Sequence, residues 1–182
     1  GGGLSGLWAA NRARDFMGNV LVVDKAAPLG SAGQGYFSGG GIQALPPGRD
    51  IDDYLKDIIY LGDGLFEQDI LASILSQSYE RIQDYQRMGV EFIKEKDGRL
   101  RYISQRGLNH NACYLAAPMG SGGRDMMTGL AAEAIKRGVK YLGRTFITDL
   151  IQWQGGTVAG AVGFNTRTGQ FLIFKTNAVI LA

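Results

Sequence analysis

The first six residues have the spacing that phosphate binding requires. Gly1, Gly3 and Gly6 occupy the three glycine positions of a G-x-G-x-x-G pattern. In that pattern the first glycine makes a tight turn, the second lets a pyrophosphate approach the backbone, and the third lets the next helix pack close to a sheet. The free N–H groups at the start of that helix then face the phosphate charge. These residues predict a dinucleotide site without indicating which dinucleotide binds.

A carboxylate follows at the distance that an adenosine ribose requires. Asp24 lies 18 residues after Gly6, at the end of the apolar run Val20–Val23. A carboxylate at this place accepts hydrogen bonds from ribose hydroxyls. The alternative is a solvated charge at the end of a strand. Lys25 is expected to be a surface residue, although a basic residue here leaves an NAD(P)-linked protein open as an alternative.

A glycine-rich ribbon, Gly30–Gly41, favours FAD among the dinucleotides. It consists mostly of small residues, so its backbone amides can lie against a large, flat cofactor. A flexible surface loop is the alternative. The chain has 28 glycines, a fraction roughly twice the ~7% average. They cluster at Gly1–Gly6, Gly30–Gly41 and Gly120–Gly123, which indicates close backbone approach rather than a linker.

Hydrophobic periodicity predicts the elements that position these residues. An apolar stripe over Leu4–Met17 predicts a helix, and Val20–Val23 predicts a buried parallel strand. Asp50 is expected to cap a helix that continues to Ile59, and a second helix is expected over Glu67–Met88. Further along the chain we expect a strand-turn-strand in Val90–Tyr102, a helix within Gly120–Gly138, four short strands after Val139 and a last strand over Ala178–Ala182.

Composition excludes several classes of function. The net charge of +2 is too small to indicate nucleic acid or an anionic membrane as a partner. Since Cys113 is the only cysteine, an internal disulfide and a cysteine-ligated metal are excluded, and a reducing, cytoplasmic setting is expected. No apolar run approaches the ~20 residues of a membrane span. His110, the only histidine, is expected to be solvated in a polar loop.

The segments together resemble the flavoprotein family that includes fumarate reductase, succinate dehydrogenase, adenylylsulfate reductase and the 3-ketosteroid dehydrogenases. The resemblance covers nearly the whole chain, and its C-terminal part looks most like the adenylylsulfate reductase flavoprotein. The stretches that carry it are Gly1–Gly6, Val20–Lys25, Ser38–Ile42, Val158–Phe164 and Phe174–Ala182.

The resemblance implies an α/β fold: a Rossmann-like FAD-binding domain with a parallel sheet, a helical insertion and a β-meander. Residues 1–182 are then one partial domain, truncated at both ends. The first strand, the capping domain and the family's substrate-binding histidine and arginine are expected outside the chain. We therefore assign neither catalytic nor metal-binding residues within it.

The resemblance also implies which residues bind the cofactor. Four residues of the opening motif would hold the pyrophosphate, and Asp24 would hold the adenosine ribose. Gln34 lies near the position at which some members attach FAD covalently through a histidine, so we expect non-covalent FAD. The full set of expected cofactor-binding residues is Gly1, Gly3, Leu4, Ser5, Gly6, Asp24, Lys25, Ser31, Gln34, Ser38, Gly39, Gly40, Gly41, Phe146, Ile147 and Ala182, with Ser31 and Ser38–Gly41 along the ribityl chain and flavin ring and Phe146 and Ile147 at the adenine.

The function expected from this family is that of an FAD-dependent oxidoreductase exchanging hydride or electrons with a small substrate. The substrates of the family range from dicarboxylates to adenylylsulfate or a steroid-like enone. The alternative is a non-catalytic FAD-binding module that relays electrons to an iron–sulfur partner subunit. An NAD(P)-linked protein is the third hypothesis.

Overall fold

The computed structural model describes residues 1–104, 109–117 and 121–182. They form two compact units, the first comprising Gly1–Phe37 with Met127–Ala182 and the second Ser38–Met126. Gly120, part of a predicted glycine cluster and helix start, lies outside the described residues. In chain order the elements are α1 (Leu4–Ala13), β1 (Leu21–Val23), α2 (Gln34–Phe37), β2 (Gly41–Gln43), α3 (Ile51–Leu61), α4 (Gln68–Arg87), β3 (Tyr102–Ile103), β4 (Cys113–Leu115), α5 (Gly122–Lys136), β5 (Lys140–Leu142), β6 (Thr145–Gln152), β7 (Val158–Asn165) and β8 (Phe171–Lys175).

The first unit contains the predicted parallel pairing. β1 and β5 run parallel, with Val22 opposite Tyr141. α1 leads into β1 and buries Leu7 and Ala10 on its inner face. A helix that leads into a parallel strand is half of a βαβ unit, and the α/β prediction is confirmed.

The helix α1 ends earlier than its periodicity predicts. The sequence indicates helix as far as Met17, whereas the structure ends it at Ala13. After that residue, the N–H groups of Asp15 and Phe16 bond to carbonyls three residues back, which closes the helix in a tighter turn. Phe16 and Met17 are then exposed, so they extended the apolar stripe in the sequence without belonging to the buried face.

The predicted β-meander is present as β6, β7 and β8, paired antiparallel in that order. The register places Phe146 opposite Phe164, and Phe164 opposite Phe171. The last predicted strand, 178–182, is wrong, since the structure has no strand there. This segment instead lies beside the opening glycines: the carbonyl oxygen of Ala182 is 2.6 Å from where a Cβ on Gly1 would be.

The second unit holds the predicted helical insertion. Asp50 caps α3 as expected, because its carboxylate accepts a hydrogen bond of 2.8 Å from the N–H of Asp52. α3 and α4 pack around Tyr54 and Ile82, both fully buried.

The strand-turn-strand predicted for Val90–Tyr102 forms only in part. Lys94 and Leu100 make a single bridge around the turn. The remaining pairing goes to β4, which bonds to both β2 and β3 in an antiparallel sheet. A distant strand therefore replaced the local partner that the sequence suggested.

Candidate cofactor site

The opening glycines differ in what surrounds them. A Cβ on Gly6 would overlap the carbonyl oxygen of Gly1, so α1 can sit this close to the turn only if residue 6 is glycine. A Cβ on Gly1 would stand 2.6 Å from the carbonyl oxygen of Ala182. A Cβ on Gly3 would meet nothing within 4 Å. The structure thus explains Gly1 and Gly6 by internal packing and leaves open space in front of Gly3.

The start of α1 presents unpaired backbone donors to that space. Gly3 is the residue that precedes the helix, and its carbonyl accepts the first helical bond, 2.9 Å from the nitrogen of Leu7. The N–H groups of Leu4, Ser5 and Gly6 precede that bond and have no helical acceptor. The first turn of α1 has no acidic residue to offset the partial positive charge of the helix end. This arrangement suits an anionic group such as a pyrophosphate.

Asp24 closes another side of the same space. It follows β1 directly, and its carboxylate accepts hydrogen bonds from the N–H of Gly2 and, at 2.6 Å, from that of Ala26. Each carboxylate oxygen can accept more than one hydrogen bond, so these two leave capacity for hydroxyl donors. The half-buried Asp24 is therefore held in a fixed position with acceptor sites to spare.

These parts enclose a cavity of about 240 Å³ in the first unit. The volume is below the ~300–1,000 Å³ of typical ligand pockets, so the cavity accommodates only part of a dinucleotide. Exposed Lys25 supplies a positive charge at its rim. The lining residues are Gly1, Gly3, Leu4, Ser5, Gly6, Asp24, Lys25, Ala32, Gly33 and Ala182.

Ala32 and Gly33 line the cavity although sequence reasoning did not select them. Both belong to the predicted Gly30–Gly41 ribbon, between Ser31 and Gln34. Gly33 has a φ of 81°, and a Cβ on it would lie 3.3 Å from the Cα of Gly3. The glycine-rich composition predicts that the ribbon as a whole binds a cofactor, but it does not indicate which residues of the ribbon line the cavity.

Two other ribbon residues of the first unit lie outside the lining. The hydroxyl of Ser31 donates to the carbonyl of Pro28 at 2.6 Å, which closes a local turn. Gln34 is exposed at the start of α2, a helix that the sequence did not indicate. Their contact with a cofactor stays a prediction.

Four expected residues, Ser38–Gly41, belong to the second unit. The N–H of Gly40 donates to the hydroxyl of Ser38 at 3.3 Å. Gly40 has a φ of 80° and is buried against Gly122, whose Cα would lie 2.6 Å from an added Cβ. Gly41 pairs with Leu115. The structure explains Gly40 and Gly41 by packing within the unit, whereas a Cβ on Gly39 would meet nothing within 4 Å. The placement of Ser38–Gly41 along a flavin stays a prediction.

The expected adenine contacts, Phe146 and Ile147, lie near the start of β6 and do not line the cavity. The ring of Phe146 stacks on that of Phe164 with centroids 5.8 Å apart. The residue before them, Thr145, donates its N–H to the carbonyl of Asp24 at 2.9 Å. β6 is thus tied to Asp24, while the adenine contact itself stays a prediction.

Cys113 and His110, the two chemically reactive side chains outside the opening motif, are held by contacts within the second unit. Cys113 is free and buried. His110 is exposed. Its backbone N–H donates to one oxygen of the Asp57 carboxylate at 2.5 Å, and its ring Nδ1 lies 3.3 Å from the other oxygen. Although burial by itself would raise the pKa of Asp57, these bonds from His110 outweigh it and lower that pKa. Neither residue is among those that line the cavity.

Within residues 1–104, 109–117 and 121–182, no group of three or more His, Cys, Asp or Glu side chains could hold a metal ion. No helix in the described part of the chain is long and apolar enough to cross a membrane.

Comparison with known proteins identifies the family. A family model described as an FAD binding domain matches residues 1–182. The chain belongs to this FAD binding domain family. The expected resemblance and FAD as the cofactor are thereby confirmed.

Two curated relatives of this FAD binding domain show how far the likeness extends. The chain is 28% identical to the chloroplastic L-aspartate oxidase of Oryza sativa subsp. japonica, covering 100% of the chain and 28% of the relative. It is 29% identical to the 8-methylmenaquinol:fumarate reductase flavoprotein subunit of Wolinella succinogenes, covering 100% of the chain and 30% of the relative. The chain thus spans less than a third of the length of either protein.

Solved structures agree with the fold. A mutant quinol fumarate reductase from E. coli superposes with a TM-score of 0.87 at 21% identity, covering 100% of this chain and 31% of that one. Adenylylsulfate reductase from the hyperthermophilic Archaeoglobus fulgidus superposes with a TM-score of 0.82 at 25% identity, covering 100% and 29%. The predicted Rossmann-like FAD-binding fold is confirmed.

Proposed function

We propose that this chain holds FAD through its pyrophosphate and adenosine ribose, as part of an FAD-dependent oxidoreductase that acts on a small substrate. The observation that carries the proposal is the surroundings of Gly3. Its φ of −77° and ψ of −173° are open to any residue, and a Cβ there would meet no protein atom within 4 Å. The protein's own packing therefore does not require glycine at position 3, whereas a pyrophosphate against the N–H groups of α1 does.

Each part of the cavity has a separate task in this proposal. The N–H groups at the start of α1 bind the pyrophosphate, and the glycine backbone lets it come close enough. The Asp24 carboxylate accepts hydrogen bonds from the ribose hydroxyls and orients the adenosine half. When bound, FAD supplies the transfer of hydride or electrons. This chain binds and orients the cofactor, and we propose that the substrate-handling residues lie outside it.

We propose that the cofactor is held without a covalent bond. Covalent attachment in the related family members uses a histidine of the ribbon, and Gly30–Gly41 contains none. The only histidine, His110, has its ring beside the Asp57 carboxylate. Acid precipitation should therefore release all of the flavin into the supernatant, and a yellow pellet would contradict this part of the proposal.

For the substrate, we propose that a small dicarboxylate be tested first. The names of the relatives concern fumarate and L-aspartate, which are both four-carbon dicarboxylic acids. Adenylylsulfate and a steroid-like enone are the alternatives. A cytoplasmic location, in keeping with a single free and buried cysteine, belongs to the same proposal.

A second candidate is a relay module that binds FAD and passes electrons to an iron–sulfur partner subunit. The relative from Wolinella succinogenes supports it, since it is named a flavoprotein subunit. Turnover of a dicarboxylate by a purified protein that contains this chain together with the proposed substrate-handling residues, with a soluble dye as electron partner, favours the enzyme. Flavin reduction without any turnover favours the relay.

Flavin binding is tested by titrating the flavin-free protein with FAD and following flavin fluorescence. We expect Asp24→Asn to weaken FAD binding by about tenfold to a hundredfold, since hydrogen bonds to a charged group contribute about 1.5–3 kcal/mol. Asp97→Asn is the matched control, because Asp97 is an exposed carboxylate of the second unit that pairs with Arg99. A wild-type protein that binds no FAD, or equal binding by all three proteins, contradicts the proposal.

A further inference from the structure

The Asp24 carboxylate is the end point of a hydrogen-bond network that begins on β5. The backbone of Asp24 is fixed on both sides: its N–H donates to Leu142 at 3.0 Å, and its carbonyl accepts from Thr145 at 2.9 Å. Its side chain is held by the N–H groups of Gly2 and Ala26. The orientation of the carboxylate therefore depends on how firmly those two donors are held.

Ala26 is the donor that the rest of the network controls. Its N–H reaches the carboxylate of Asp24 at 2.6 Å. Its carbonyl oxygen accepts two hydrogen bonds, from the hydroxyl of Tyr141 at 2.6 Å and from the N–H of Arg144 at 3.1 Å. Both of these donors come from the region where β5 ends and β6 begins. Any rotation of the chain at Ala26 would break them.

Tyr141 is well suited to be a permanent donor. It lies on β5 opposite Val22 and is half-buried. Burial raises the pKa of its phenol, and the negative charge of Asp24 raises it further, so the hydroxyl keeps its proton at neutral pH.

The space around this hydroxyl is filled by the chain. A Cβ on Gly143 would lie 2.7 Å from the carbonyl oxygen of Ala26 and 2.9 Å from the hydroxyl of Tyr141. A larger residue at 143 would therefore push against both members of this hydrogen bond. The β5–β6 turn leaves the phenol and the carbonyl little freedom to move apart.

We propose that Tyr141 is a positioning residue for the adenosine ribose: by holding the Ala26 carbonyl, it keeps the Asp24 carboxylate oriented toward the ribose hydroxyls. This inference rests on the proposed function of the cavity. Tyr141 does not line the cavity and acts only through Ala26 and Asp24. Without its hydroxyl, Ala26 keeps one of two bonds at its carbonyl, and its N–H holds Asp24 less firmly.

The test compares two ligands that differ only in the ribose. ADP and 2′,3′-dideoxy-ADP are titrated into flavin-free protein by calorimetry. The ratio of their dissociation constants measures recognition of the hydroxyls. In the wild type ADP should bind about tenfold more tightly, and Tyr141→Phe should shrink this ratio by about threefold or more, as expected for a loosened hydrogen bond. A merely structural role would weaken both ligands together and leave the ratio unchanged, which would overturn the proposal.

A matched control and two further variants complete the test. Tyr60→Phe makes the same chemical change at an exposed residue of α3 and should keep the wild-type ratio. Gly143→Ala, which displaces the same carbonyl by another route, should shrink the ratio as well. In the Asp24→Asn background, Tyr141→Phe should have no further effect on the ratio. An additional loss of the same size there would show that Tyr141 does not act through Asp24.

Failure of this inference is distinct from failure of the proposed function. If the wild-type protein binds neither FAD nor ADP, the proposed cofactor site itself is contradicted. A wild-type protein that binds FAD and prefers ADP over the dideoxy ligand, with an unchanged ratio in Tyr141→Phe, keeps the site and overturns only the role of Tyr141.

Discussion

The opening motif predicts different outcomes for Gly3→Ala and Gly6→Ala, although each substitution adds only one methyl group. At Gly3 the added carbon enters the open cavity, and the backbone already has a conformation that alanine adopts. At Gly6 the added carbon overlaps the carbonyl oxygen of Gly1, so α1 must move away from the turn. Gly3→Ala should therefore impair flavin binding, and Gly6→Ala should impair folding first.

The magnitudes follow from the contacts. For Gly3→Ala, alanine is less favourable than glycine at the residue before a helix and costs about 1 kcal/mol there. Alanine also lowers the conformational entropy of the unfolded chain, which stabilises the fold by about 0.4–1 kcal/mol, so the two terms roughly cancel. Displacing the pyrophosphate from one N–H group should cost about 1.5–3 kcal/mol, which weakens FAD binding by about tenfold to a hundredfold. For Gly6→Ala, overpacking should cost about 1–3 kcal/mol, or a Tm lower by about 2–12 °C.

Two measurements on the same preparations check this. Thermal unfolding of the flavin-free proteins gives Tm, and fluorescence titration gives the dissociation constant of FAD. Gly3→Ala should keep the wild-type Tm within about 2 °C. The reasoning is refuted if Gly3→Ala binds FAD as tightly as wild type, or if it lowers the flavin-free Tm as much as Gly6→Ala does.

Two further predictions concern stability. The pKa of Asp57 is lowered from its ordinary 3.8, because hydrogen bonds from His110 outweigh the opposing effect of burial. The ionised carboxylate therefore contributes to folding stability in full above about pH 4, and this contribution is lost as the pH falls through the lower pKa of the folded state. Asp57→Asn should thus lower Tm at pH 7, and the difference from wild type should shrink in thermal melts as the pH is lowered below about 4; a constant difference would contradict this. The guanidinium of Arg137 bonds to the carboxylate of Asp15 at 2.7 Å. Arg137→Met should therefore lower Tm by a few degrees, about 1 kcal/mol, whereas Lys136→Met, at an exposed neighbour, should leave Tm unchanged. Equal Tm values for the two variants would show that Arg137 does not stabilise the fold.

The sequence was most informative where function depends on local spacing. The turn at Gly1–Gly6, the following helix and the carboxylate of Asp24 are fixed by distances along the chain, and all of them meet at one cavity. Non-local pairing was harder. That β1 pairs with β5 follows from packing between residues more than a hundred positions apart, which no local pattern contains.

Short elements and inward-facing residues of the ribbon could not be predicted either. α2 is a single turn, Gln34–Phe37, too short to show helical periodicity. Ala32 and Gly33 line the cavity just after the Pro28–Ser31 turn. A Cβ on Gly33 would lie 3.3 Å from the Cα of Gly3, and this contact joins residues far apart in the chain, so no local pattern contains it. Composition could indicate the ribbon but not its orientation.

The link between His110 and Asp57 makes the second unit observable by a simple spectrum. The chain has a single histidine, so a proton NMR spectrum contains the ring signals of one imidazole. This ring lies 3.3 Å from a carboxylate on α3, while its backbone belongs to the segment that leads into β4. Any separation of that segment from the helix would change the surroundings of one resolved resonance. The protein therefore carries its own reporter of order in this region, without an added label.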